Sequence, residues 1–179
     1  HNTYKNAAPI RIEQSTDNEV VNNVIRGMNG NADADNTAAI WLFSATRAKV
    51  HNNTILQSKN GIMQKTGPNI DTEIYRNYIT SITTDGIMLD EQSTGGSGVK
   101  VYQNVLVNVG SNAIDVYPGG GTEYQNNYQI YNNTIYGAGT GIQVGERARN
   151  NQIWNNIIYQ ASGGAGKPLL RYYTGGSMP

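Results

Sequence analysis

The sequence predicts an all-β fold, a right-handed single-stranded parallel β-helix of about six to seven coils with an internal Asn ladder. Three observations lead there. A six-residue phrase recurs at 20–25, 50–55, 74–79, 101–106, 130–135 and 153–158, and its fourth place is always Asn: Asn23, Asn53, Asn77, Asn104, Asn133 and Asn156. The copies are 30, 24, 27, 29 and 23 residues apart, a spacing typical of solenoids, propellers and arrays. A second phrase falls between the copies and opens on Ile10, Ile40, Ile62, Ile87, Ile114 and Ile142.

The Ile phrase is the first strand of each coil. Apolar residues alternate with others over a few positions, as in a half-buried strand. A small residue or proline stands before each copy: Pro9, Ala39, Gly61, Gly86, Ala113 and Gly141. The Asn phrase supplies the other two strands, one entering the Asn turn and one leaving it. Aliphatic flanks turn the Asn inward, where a polar group must find partners. A carboxamide has two donors and an acceptor, and coils stacked about 4.8 Å apart let each amide bond the next. Asn also tolerates left-handed turn geometry.

In chain order, the first complete coil spans 10–27 and is followed by a polar insertion at 28–37. The second spans 40–56, the third 62–80, and the fourth 87–107 with a turn at 92–98. The fifth spans 114–136 with a long turn at 118–129, and the sixth spans 142–159. Residues 169–173 read as the first strand of a seventh coil. Residues 1–179 thus form one domain that starts and ends within incomplete coils.

This pattern of three short strands and an Asn turn resembles the pectate-lyase-like superfamily of right-handed β-helix repeat proteins. The resemblance covers nearly the whole chain. It implies a carbohydrate-associated domain, extracellular or at the cell surface, of the polysaccharide lyase, hydrolase or epimerase kind. It carries over no catalytic residue, because one scaffold hosts many chemistries. An Asp-Pro-His motif of the β-helix epimerase type is absent.

Composition narrows the partners. Lys plus Arg and Asp plus Glu both number 13, so no bulk field draws nucleic acid or an anionic membrane. No stretch approaches the roughly 20 apolar residues of a membrane-inserted helix. Without cysteine there is neither a disulfide nor a thiolate metal site. Hydrophobic residues make up 37 percent, which suits a narrow aliphatic column better than a compact globule.

In the superfamily that the repeat resembles, the working surface is usually the outer face of the first strands. Aligning the Ile phrases puts Arg11, Trp41, Met63, Met88, Asp115 and Gln143 in one outward column. Glu13, Phe43, Lys65, Asp90, Tyr117 and Gly145 form the other. Lys65, Asp90 and Asp115 are the candidate catalytic residues. In a lyase, Lys65 would abstract a proton beside a uronic carboxylate, while Asp90, Glu91 and Asp115 held a metal. In a hydrolase, Asp90 and Asp115 would be acid and base. Trp41, Phe43 and Tyr117 would stack on sugars, and Arg147 in the 145–149 loop would hold an acidic one. A surface charge pair on an inert solenoid accounts for the same residues.

Two places before each ladder Asn stand Val21, His51, Tyr75, Tyr102, Tyr131 and Trp154. They are expected to stack outside the second strand. Tyr75, Tyr102, Tyr131 and Trp154 would then form a glycan platform, a surface for another chain, or a self-packing stripe. In the 28–37 insertion, Asn31, Asp33 and Asp35 alternate like the start of a calcium loop. Asp33 and Asp35 are therefore candidate calcium ligands, though Asn36 replaces the usual Gly and Leu42 the closing Glu. Asn52 and Asn132 head Asn-x-Thr sequons beside the ladder turn. Head-to-tail stacking into a filament and a non-catalytic glycan-binding or adhesion module are the two alternatives to a catalytic domain.

Overall fold

The structure is a computed structural model and describes residues 7–29, 36–91, 95–117, 124–159 and 168–173. All paired strands run parallel. The first face stacks Ile10–Glu13, Ala38–Phe43, Asn60–Lys65 and Ile87–Asp90. It continues through the later halves of the long strands Val105–Val116 and Thr134–Gly145 and ends on Leu170–Tyr173. The second face has six strands: Glu19–Val21, Lys49–His51, Glu73–Tyr75, Lys100–Tyr102, Gln129–Tyr131 and Gln152–Trp154. The third stacks Val24–Arg26, Thr54–Ser58, Tyr78–Ile82, the early halves of the two long strands, and Ile157–Tyr159. Five turns therefore separate Asn23 from Asn156, and Leu170–Tyr173 adds a seventh strand to the first face. No helix among the described residues is long and apolar enough to cross a membrane.

The strand registers agree with the aligned Ile phrases. Ile10, Ile40, Ile62, Ile87, Ile114, Ile142 and Leu170 pair in sequence along the first face. The side chains of the six Ile residues point into a lumen shared with Val50, Ile74, Val101 and Ile130 from the second face and Ile55, Ile79 and Leu106 from the third. Burying one such aliphatic chain contributes about 1.5–3 kcal/mol, so the column of aliphatics is the main source of stability. The small residue before each Ile phrase has a steric cause. A Cβ on Gly61 would run into the carbonyl of Gly86, and one on Gly141 into that of Leu169.

The ladder forms inside the turn between the second and third faces. Asn23 Nδ2 donates to Asn53 Oδ1 at 3.0 Å, and the same bond repeats from Asn53 to Asn77, Asn104, Asn133 and Asn156 at 2.9–3.0 Å. Each amide always donates toward the higher-numbered coil. From Asn53 onward the amide also donates to a carbonyl of the preceding coil, such as Ile74 O for Asn104. One expectation needs correcting: the left-handed residue is the one before the ladder Asn. Asn22, Asn52, Arg76, Gln103, Asn132 and Asn155 all have φ between 53° and 58°. The turn is made there, leaving each ladder Asn free to point inward.

A fourth, minor face was not visible in the sequence. Thr16, Thr46, Ile70 and Ser97 form single bridges, and Gly96–Ser97, Gln125–Asn126 and Ala148–Arg149 form a small sheet between the first and second faces. Two-residue strands are too short for an alternating pattern.

Candidate functional site

On the outer first face, Arg11, Trp41, Met63, Met88, Asp115, Gln143 and Arg171 stand in one column. Strand alternation aims them away from the lumen, yet much of the column is covered. Trp41 is 3% exposed and packs with Ala38, Met63, Ala8 and Met88. The Arg11 guanidinium lies over its ring, 4.5 Å from the centroid. A sugar would have to displace Arg11 to stack on Trp41. Phe43, in the second column, is only half-buried and lies 5.7 Å from the same guanidinium. Tyr117 is half-buried, and its carbonyl accepts from Gln125 Nε2 at 2.8 Å.

The three candidate catalytic residues share this face. Lys65 and Asp90 are axial partners, with Lys65 Nζ 3.5 Å from Asp90 Oδ2. Lys65 Nζ also donates to Asn36 Oδ1 at 2.8 Å. Asp115 accepts from Gln143 Nε2 at 3.0 Å and from Asn112 Nδ2 at 3.2 Å. Asn112 also donates to Asp85 Oδ1, through its side chain at 3.1 Å and its backbone N–H at 3.0 Å. Burial pushes the Asp115 carboxyl up to about 8; the nearby Asp85 and Asp90 carboxylates add to the rise, against the bond from Gln143. Burial also raises Asp85, against hydrogen bonds from Asn112 and Ser111. At about 8, the Asp115 carboxyl still carries its proton at neutral pH.

Beside Asp115 runs a polar groove of about 360 Å³, lined by Asn112, Thr140, Gln143 and Arg171 among others. Arg171 was read from the sequence only as part of a strand. Its register with Gln143 and Asp115 was the available signal, since those two already occupied the column.

Glu91 does not join Asp90 and Asp115 as a metal ligand. Adjacent strand residues point to opposite faces, and Glu91 enters the lumen. There it accepts from Gln64 Nε2 at 2.7 Å and from Asn69 Nδ2 at 2.8 and 3.0 Å. Gln64 in turn accepts from the Thr72 hydroxyl at 2.7 Å. Burial pushes Glu91 up to about 7, against the bonds from Gln64 and Asn69. The hint lay in Gln64, which takes an inward position held by Leu42 and Leu89 in neighbouring coils.

The aromatic column forms as read. His51 and Tyr75, Tyr75 and Tyr102, Tyr102 and Tyr131, and Tyr131 and Trp154 stack with centroids 4.5–5.0 Å apart and planes within 8°. This geometry has a functional consequence. The ring faces of Tyr75, Tyr102 and Tyr131 are covered by one another, so only edges and hydroxyls remain for a ligand. The Tyr102 hydroxyl is already engaged, donating to Glu73 Oε2 at 2.8 Å. At the near end of the column, His51 Nε2 lies 2.6 Å from Glu19 Oε1. Tyr102→Ala removes two stacking contacts and is expected to cost about 2 kcal/mol, read as a lower urea midpoint.

Arg147 is half-buried, and its carbonyl accepts from Gln125 N–H at 3.1 Å. Its neighbour Arg149 lies over the Tyr124 ring, 3.4 Å from the centroid. Asp33 and Asp35 lie outside the described residues. Among the described residues, no three His, Asp or Glu side chains gather closely enough to hold a metal ion.

The family model described as right handed beta helix region matches residues 1–128, more than two thirds of the chain. The chain belongs to this right-handed β-helix family. No curated protein and no solved structure matches it. In a right-handed β-helix each coil adds one residue to every column. The acidic residues on the first face are thus brought together by coil stacking, although 85, 90 and 115 span more than one repeat of sequence.

Proposed function

We propose that this β-helix binds an acidic polysaccharide across its first-strand face and hydrolyses it, with Asp115 as the general acid. The observation that carries the reading is a buried, proton-retaining Asp115 in one column with Gln143 and Arg171, beside a polar groove. A carboxyl protonated at neutral pH can give its proton to a glycosidic oxygen as the bond to the sugar breaks. Asp90, on the strand one coil earlier, would take the base role. A guanidinium matches a sugar carboxylate in both charge and fork geometry, which gives Arg171 the anchoring role. Such a domain would act outside the cell or at its surface, where acidic polysaccharides are found.

The test is incubation with a panel of uronic-acid and neutral polysaccharides, following both new reducing ends and the absorbance of unsaturated products. Reducing ends from an acidic polymer are expected, without unsaturation. Asp115→Asn should lower kcat by about 10²–10⁴, and Arg171→Ala should chiefly raise KM. Unsaturated products would instead point to elimination. Equal cleavage by wild type and Asp115→Asn would remove the assignment.

One observation favours a second reading. Leu170 and Tyr172 pair with the buried Ile142 and Val144, yet are 42% and 66% exposed. Another copy stacking on that edge would bury them and extend the solenoid head to tail. Light scattering separates the readings, because a monodisperse monomer at high concentration excludes the filament.

A further inference from the structure

Lys65, Asp90 and Asn36 meet on the first face, beside its apolar patch. Lys65 Nζ reaches both Asn36 Oδ1, at 2.8 Å, and Asp90 Oδ2, at 3.5 Å. The Lys65 side chain is 15% exposed and that of Asp90 1%. Met63 lies two residues earlier on the same strand, buried against Trp41 and Ala38. The residues come from three successive repeats, so the fold and not local sequence assembles them. An amine that touches both a carboxamide and a shielded carboxylate supplies the components of an amide exchange.

We propose that Lys65 and Asn36 become joined by an intramolecular isopeptide bond, with Asp90 relaying the proton. The Asp90 carboxylate takes a proton from the Lys65 ammonium, which neutralises two poorly solvated charges together. The freed Nζ lone pair attacks Asn36 Cγ and forms the new C–N bond. Asp90 then passes its proton to the departing nitrogen, and the Cγ–Nδ2 bond breaks. The excess proton on the tetrahedral nitrogen leaves with the ammonia, as ammonium. One ammonium and one secondary amide replace the Lys65 ammonium and the Asn36 carboxamide; Asp90 ends as it began, and no oxidant or cofactor is consumed. The product ties residue 36 to residue 65 and closes the chain between them into a covalent loop.

Intact-mass spectrometry of the purified full chain tests this. The expected mass is lower than that of the sequence by one ammonia. Proteolysis should release a branched peptide joining the segment containing Asn36 to that containing Lys65, stable to hydroxylamine. Lys65→Arg and Asn36→Ala should each restore the full sequence mass, and Asp90→Asn should leave the chain largely unlinked. A folded wild-type chain that keeps its full mass after prolonged warm incubation would overturn the proposal. Ammonia loss in a chain that hydroxylamine then cleaves would also overturn it, because that marks a succinimide at Asn29-Gly30 or Asn60-Gly61. Undiminished linkage in Asp90→Asn would overturn the relay.

Discussion

Asn104→Ala is expected to destabilise the protein by about 4 kcal/mol, the largest effect of any single polar substitution in the lumen. Asn104 is fully buried. Its oxygen accepts from both the backbone N–H and the Nδ2 of Asn77, each at 3.0 Å. Its amide donates to Asn133 Oδ1 at 3.0 Å and to Ile74 O at 2.9 Å. Alanine leaves the two Asn77 donors without this acceptor, in a lumen closed to bulk water. Each buried group left unpaired costs about 1–3 kcal/mol, and the missing volume adds a cavity term. Thermal unfolding followed by circular dichroism should show a fall of about 10 °C for a domain of this size. Asn104→Asp should be no better, since a carboxylate cannot donate to Asn133 and introduces a buried charge. An Asn104→Ala protein that melts within a degree or two of wild type would refute the ladder's energetic role.

The second large effect concerns pH. Glu91 is raised from an ordinary 4.5 to about 7, and Asp115 from 3.8 to about 8, both chiefly by burial. Below about pH 4 both groups hold their protons in the folded and unfolded chain, so neither changes stability. Between about 4 and 8 the unfolded chain releases these protons while the folded chain retains them. Ionisation then favours the unfolded state, and stability falls as pH rises. Above about 8 the loss levels off. The upper limit is on the order of 3 kcal/mol for Glu91 and 6 kcal/mol for Asp115, at about 1.36 kcal/mol per unit. Urea midpoints should therefore decline from pH 5 to pH 8. Glu91→Gln should flatten part of that decline and be more stable than wild type at pH 8, because the neutral amide keeps an acceptor for Gln64 and Asn69. A wild-type midpoint that stays level or rises over this window would contradict the buried-carboxyl account.

Much of this architecture was legible because a parallel β-helix writes the same instruction once per coil. Asn23 through Asn156 could be aligned by eye, and that register correctly paired Lys65 with Asp90 and Tyr75 with Tyr102. What lies over a face was not legible. Alternation assigns Trp41 and Asp115 to the outside of the sheet, but it does not show that Arg11 lies across one and that the other is buried. The lumenal group of Gln64, Asn69, Thr72 and Glu91 was missed for a related reason. It depends on non-repeating residues at a corner, where one coil departs from the pattern of its neighbours. Left-handed residues such as Arg76 and Gln103 were equally hidden, because neither type is a usual marker of that conformation.

The uniform direction of the ladder has an electrical consequence. In each rung from Asn53 to Asn133 an amide hydrogen faces the next coil and the oxygen faces the previous one. The side-chain dipoles therefore add, with the positive pole toward Asn156. Linked hydrogen bonds strengthen one another, by about 10–30% per bond, so a break at mid-ladder weakens rungs on both sides of it. A whole coil inserted in register adds one donor and one acceptor and preserves the polarity. The unit by which such a chain can grow or shrink is the full turn.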